Sequence, residues 1–294
     1  MTYDMDSLQQ KSFKLIEDQY ILAYRYLVSP VSRSYTHAMA TTFARSALRT
    51  ARLSSTYPTF ASRQASPVFR RFLATPAEKQ PTIRLGTEAP NFQAKTTHGD
   101  IDFHQWLDNK WAILFSHPAD FTPVCTTELG AFAKMRDEFD RRGVKMIGLS
   151  ANDLNSHGRW IADINELSQT DLQFPIIADA DRQVAFKYDM LDAQDLTNID
   201  EKGIAFTIRS VFIIDPSKKV RLTMMYPASV GRNTSEVLRV IDSLQTGDKK
   251  GVTTPIDWQV GDDVIVPPSV STEDAKKKFG EVREMKPYLR YTKI

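Results

Sequence analysis

KWAILFSHPADFTPVCTTELG, residues 110–130, sets a short apolar run, a proline-bounded loop and the start of an amphipathic helix in direct succession. Lys110–Ser116 has strand length, is almost wholly apolar and is closed by His117–Pro118, so it reads as a buried strand. Thr126 to Arg142 is predicted to be helical. Leu129, Phe132, Met135 and Phe139 share one face, and Gly143 follows where a helix-terminating glycine is expected.

Outward from this stretch the alternation continues. Val144–Ser150 is a second buried strand, Asp153 to Leu167 a polar helix, and Phe174–Asp179 a third strand leading into a short helix near Asp181–Tyr188. Thr207–Ile214 and Val220–Tyr226 flank Asp215-Pro216-Ser217-Lys218-Lys219, a hairpin by its turn chemistry. A helix is predicted from Thr234 to Leu244. Gly247 then opens a charged, proline-containing tail that reads as a small separate module. Strands alternating with helices, then a hairpin and a last helix, define an α/β chain with a mixed central sheet flanked by helices. A thioredoxin-like fold is one solution of that pattern. The expected organisation is a main domain over 83–246 and a C-terminal domain over 247–294.

Charge is distributed unevenly. From Gln19 to Ala77 there is no Asp, Glu or Lys, but there are eight arginines. Such Arg-rich, Ser/Thr/Ala-rich composition is that of an organellar transit peptide. Within it, Arg45, Arg49 and Arg52 fall on one side of a helix from Phe43 to Arg52, opposite Phe43, Leu48 and the alanines. Arg70-Arg71-Phe72-Leu73-Ala74 resembles a matrix-processing site, which points to a mitochondrial matrix location. Residues 1–38 carry Asp4, Asp6, Glu17 and Asp18, which transit peptides avoid. They are therefore expected to be an upstream extension, with Met39 as the working start and 39–74 as the transit peptide. The remainder of the chain is slightly acidic and gives no reason to expect nucleic acid. No apolar run is long enough for a membrane span.

Cys125 is the sole cysteine, which excludes an intramolecular disulfide and a thiolate zinc cluster. The five histidines show no short-range ligand pairing, so neither a metal nor a cofactor is expected. A lone cysteine is ordinarily a small buried hydrophobe. This one lies in the first turn of a predicted helix, where unpaired backbone N–H groups and the helix dipole favour thiolate over thiol. Thr122 brings a hydroxyl three residues before the sulfur, while Pro118 and Pro123 stiffen the loop and remove donors.

Pro118-x-x-x-Thr122-x-x-Cys125, within Phe115–Gly130, resembles the active-site signature of peroxiredoxins, in particular the one-cysteine, peroxiredoxin-6-type branch. The resemblance extends to Thr207–Phe212, Tyr226–Asn233, Thr254–Trp258 and Tyr288–Thr292, covering about Ile83 to Ile294. It implies a thioredoxin-like peroxidase domain followed by a small C-terminal peroxiredoxin domain. It also implies roles: Cys125 as the peroxidatic nucleophile, Arg209 holding the thiolate and orienting peroxide, Thr122 donating to the peroxide oxygens and Pro118 shielding the sulfur. Glu128 and Arg232 would fix the Arg209 guanidinium, and His117 would line the pocket near the peroxide. With no resolving cysteine, the sulfenic acid would need an external thiol, glutathione with glutaredoxin or thioredoxin. A homodimer is implied as well.

Two rival readings differ in what they demand of Cys125. A peroxide sensor or redox-regulated chaperone has less need of the repeated leaving-group stabilisation that Thr122 and Arg209 offer. A thiol hydrolase requires Cys125 and His117 to pair. The chain also departs from its branch where some members carry a phospholipase triad. The serine position reads Lys110, the position after Pro216 reads Ser217, and only His104 of the triad remains. No phospholipase turnover of that type is expected. Fatty-acid release from phosphatidylcholine that disappears in His104→Ala would contradict this.

Overall fold

The computed structural model describes residues 82–195 and 197–294. The expected upstream extension and transit peptide lie outside the described residues. Seven strands form one sheet in the order β2-β1-β5-β4-β3-β6-β7. They are β1 Gln93–Thr96, β2 Gly99–Asp102, β3 Trp111–Ser116, β4 Val144–Ser150, β5 Ile176–Ala178, β6 Arg209–Ile214 and β7 Val220–Tyr226. β3, β4 and β5 run parallel, whereas β6 pairs antiparallel with β3 and β7 antiparallel with β6.

Successive residues of a strand point to opposite faces, and here both faces are covered, which is why β3 and β6 read as unbroken apolar runs. Ile113, Phe115, Val211 and Ile213 enter one core; Ala112, Leu114, Phe212 and Ile214 enter the other. The first core is closed by α2 (Pro123–Lys134), α3 (Arg136–Arg141), α4 (Leu154–Ser168) and α6 (Thr234–Lys250). The second is closed by α1 (Phe103–Leu107), α5 (Gln183–Lys187) and the aromatic group Phe92, Phe103 and Tyr188. No helix among the described residues is long and apolar enough to cross a membrane.

Two expectations need correction. The helix predicted over 126–142 begins earlier, with Pro123 at its first turn where a missing N–H costs nothing. It then breaks at Met135 (φ −91°, ψ 8°) into α2 and α3. The helix predicted to stop at Leu244 runs on to Lys250, through Gly247. A side chain at 247 would crowd the Val252 carbonyl at 3.2 Å, so glycine here accommodates the returning chain. Gly251, at φ 67°, ends the helix by donating to the Gly247 carbonyl. The β1–β2 hairpin was not anticipated, because its strands are four residues each and mostly polar. Beyond α6, β8 (Val264–Ile265), α7 (Thr272–Phe279), β9 (Val282–Lys286) and β10 (Leu289–Thr292) form a three-stranded sheet over Val252, Trp258 and Val264.

α2 and α4 touch at Gly130, where a Cβ would lie 2.7 Å from Ser168 Cβ and closer still to its hydroxyl. Gly130→Ala is expected to lower unfolding stability by about 1–3 kcal/mol through overpacking. Denaturant melts of a double-mutant cycle should show Ser168→Gly relieving part of that loss; additive effects would refute the contact.

Candidate active site

Cys125 is fully buried at the third position of α2. Thr122 occupies the N-cap position but makes no side-chain capping bond. Its hydroxyl instead donates backwards to Ala119 O at 2.9 Å, and its carbonyl accepts from Thr126 N and Oγ1 at 3.0 and 2.8 Å. The first-turn N–H groups of Val124 and Cys125 are therefore left without an intrahelical or capping acceptor at the end of the helix where the sulfur sits. The sequence implied Thr122 as a donor to substrate. With its proton given to Ala119, the hydroxyl oxygen offers lone pairs instead.

Arg209, the first residue of β6, reaches across to the sulfur. Its Nη1 lies 3.2 Å from Cys125 Sγ and 2.8 Å from Glu128 Oε2, while Nε and Nη2 donate to Ala228 O at 2.9 and 2.7 Å. Glu128 stands three residues after Cys125 on the same helix face. It accepts from Arg232 through the backbone N (2.7 Å), Nε (3.0 Å) and Nη2 (2.8 Å). Arg232 Nη1 completes the set with Ser116 O and Ser210 O at 2.9 and 3.0 Å, and its guanidinium lies over the rings of Phe115 and Phe132.

Every member of this chain of groups is buried. Burial alone would raise the Glu128 carboxyl, but the charge and hydrogen bonds of Arg232, with the charge of Arg209, hold it below its ordinary value. Burial pulls the Arg232 guanidinium down from its ordinary value against the opposing pull of Glu128. Two guanidiniums and one carboxylate leave one positive charge unbalanced beside Sγ. A thiolate neutralises it, whereas a thiol leaves it buried and uncompensated.

The remaining candidates divide. Pro118 is buried in the loop between β3 and α2. His117 is also fully buried, but its Nε2 pairs with Asp120 Oδ1 at 3.0 Å and its ring lies 4.9 Å from that of Trp160. No hydrogen bond among the described residues joins it to Cys125. The Cys–His pair required by a hydrolase is not formed. Asp120 and His157, which meet at 2.8 Å, went unnoticed in the sequence because 37 residues separate them.

This geometry places a buried cysteine beside an arginine on a mixed α/β sheet, and the comparisons agree on its family. The AhpC/TSA family model matches residues 85–223, and the model for the C-terminal domain of 1-Cys peroxiredoxin matches 243–281. The chain is 60% identical over 215 residues to the mitochondrial peroxiredoxin PRX1 of Saccharomyces cerevisiae, covering 73% of this chain and 82% of that protein. It is 49% identical to human peroxiredoxin-6 over 220 residues, covering 71% and 97%. A structure of yeast mitochondrial 1-Cys peroxiredoxin, described with its thiol resolving mechanism via glutathione/thioredoxin systems, superposes with TM-score 0.67 at 58% identity. It covers 72% of this chain and all of that one. A cysteine-to-serine mutant of the peroxiredoxin 6 of Arenicola marina superposes with TM-score 0.69 at 47% identity, covering 72% and 98%. The fold is the thioredoxin-like fold of thiol peroxidases. The chain belongs to the peroxiredoxin family, in its one-cysteine type.

The lowered Glu128 carboxyl carries a stability consequence. Its folded form titrates below the ordinary 4.5, so its stabilisation is complete above that value and is lost as pH falls beneath it. Denaturant midpoints should fall steeply from about pH 4.5 downward. Glu128→Gln should be less stable near neutrality by about 3–5 kcal/mol, the effect of leaving a buried guanidinium unpaired, and should show a flatter acid limb. An equal slope in both proteins would refute the assignment.

Proposed function

We propose that Cys125 is the peroxidatic nucleophile of this peroxidase, and the contact that carries the reading is Arg209 Nη1 at 3.2 Å from Sγ. The thiolate attacks the terminal oxygen of a hydroperoxide, the O–O bond breaks, and the leaving oxygen takes a proton and departs as water or an alcohol. Arg209 lies against the sulfur and faces the negative charge as it moves onto the leaving oxygen. Thr122 accepts the peroxide O–H through the lone pairs left by its bond to Ala119, and the open N–H groups of Val124 and Cys125 add donors. Pro118 limits water around the sulfur. Hydrogen peroxide and organic hydroperoxides fit this chemistry.

The resulting Cys125 sulfenic acid condenses with an external thiol, releasing water, and a second thiol cleaves the mixed disulfide and restores Cys125. A single cysteine requires that route. Glutathione with glutaredoxin, or thioredoxin, is the proposed reductant, supported by the systems named for the yeast protein. The arginine-rich extension and the mitochondrial relative support a matrix location. A homodimer, and a division near residue 247 between peroxidase and C-terminal domains, complete the proposal.

Stopped-flow oxidation of the reduced chain starting at Phe72, followed by intact mass, tests the reading. Fast thiol loss with one added oxygen is expected, abolished in Cys125→Ser and slowed about 100-fold or more in Arg209→Ala. A rate no better than that of free cysteine would overturn it.

A further inference from the structure

The groups around Sγ are held by β3, β6, α2 and the loop carrying Ala228. Thr122 is held by a different device. Between Asp120 and Thr122 the chain turns through Phe121, a residue 49% exposed whose φ of 56° is left-handed. An aromatic residue occupies that region only where its neighbours over-determine it. On one side the restraint is the Thr122 bond to Ala119 O. On the other it is the Asp120 side chain, which has no exposed surface.

Four donors converge on that carboxylate. Oδ1 accepts from His117 Nε2 at 3.0 Å and Ser150 Oγ at 3.4 Å; Oδ2 accepts from Ser156 Oγ and His157 Nδ1, both at 2.8 Å. The Asp120 backbone N–H donates to Asn152 Oδ1 at 3.0 Å. The donors come from the end of β4 and the first turn of α4 as well as from the loop itself. His157 Nε2 faces a second acceptor, Ile177 O at 3.2 Å, so both nitrogens of this buried ring lie against oxygens of the fold. Burial favours the neutral ring of His117, whose bond to Asp120 leaves Nδ1 without a partner. Although burial opposes it, the hydrogen bonds of the two histidines hold the Asp120 carboxyl well below its ordinary range, so it stays ionised.

We propose that Asp120 is a positioning residue for peroxide reduction: bolted to β4 and α4, it holds the left-handed turn at Phe121 and so presents the Thr122 hydroxyl at the sulfur. It contributes to neither the Arg209–Glu128–Arg232 frame nor the contact with Sγ. This rests on the peroxidase reading and assigns a separate mechanical origin to half of the site.

Asp120→Asn keeps the volume but turns one acceptor oxygen into an NH2 group facing donors. The rate with hydrogen peroxide is expected to fall about 10-fold or more, because Thr122 is displaced. The pH midpoint for alkylation of Cys125 by iodoacetamide should stay at the wild-type position, since the sulfur's own frame is intact. Ser156→Ala and His157→Gln each remove or weaken one donor and carry the same test should Asp120→Asn fail to fold. Their peroxide rates should fall by less than that of Asp120→Asn, again with an unmoved midpoint. Wild-type peroxide rates in the folded variants would overturn the proposal. So would a midpoint displaced as far as in Arg209→Ala, which would place the effect at the sulfur. A wild-type chain unreactive toward peroxide would overturn the peroxidase reading itself.

Discussion

Two arginines and one glutamate buried beside a cysteine form an assembly that each member alone would make unfavourable. An ion moved into a protein interior costs several kcal/mol unless partners replace its water. Here the replacement is extensive. The donors of Arg209 reach Ala228 O, Glu128 and Sγ, and those of Arg232 reach Glu128, Ser116 O and Ser210 O. One carboxylate serves both guanidiniums. The positive charge that remains is matched only when Cys125 is a thiolate, so the packing of the core and the reactivity of the sulfur rest on one charge balance.

Topology explains why these residues can meet. Ser116 closes β3 and Arg209 opens β6, and the two strands run antiparallel, so the end of one lies against the beginning of the other. Ser116 and Ser210 fasten this corner through hydroxyls 2.7 Å apart, and Ser116 Oγ also donates to Ile208 O at 2.6 Å. A parallel β6 would carry Arg209 to the opposite end of the sheet. The loop leaving β3 supplies the helix whose first turn holds Cys125, and Glu128 follows on the same face. Positions 84 residues apart are thereby brought within 3.2 Å.

What the sequence disclosed follows from how local each feature is. Buried strands were legible as apolar runs because both sheet faces are covered. The helical setting of Cys125 was legible from the spacing of Leu129, Phe132, Met135 and Phe139, although Pro123 reads in sequence as part of the loop and not as the helix start. The break at Met135 was not, since no glycine or proline marks it. Gly247 misled, because a glycine that makes room for Val252 looks the same in sequence as one that ends a helix. Cys125, Thr122 and Glu128 lie within one local motif. Arg209 and Arg232 were reached only through family resemblance, as an isolated arginine at the start of a strand carries no local sign of burial. Asp120 and His157 had no such aid, and their pairing exists only in three dimensions.

The missing cap on α2 links the two halves of the proposed catalytic cycle. A side-chain cap at Thr122 would stabilise the first turn by about 0.5–2 kcal/mol, but it would occupy a backbone N–H next to the sulfur. Directing that hydroxyl to Ala119 leaves those N–H groups open and the turn less firmly closed. A peroxide is small enough to approach a sulfur with no exposed surface; a thiol reductant is not. On the proposed cycle the first turn would open before a mixed disulfide forms, and an end without a side-chain cap would open at a lower free energy.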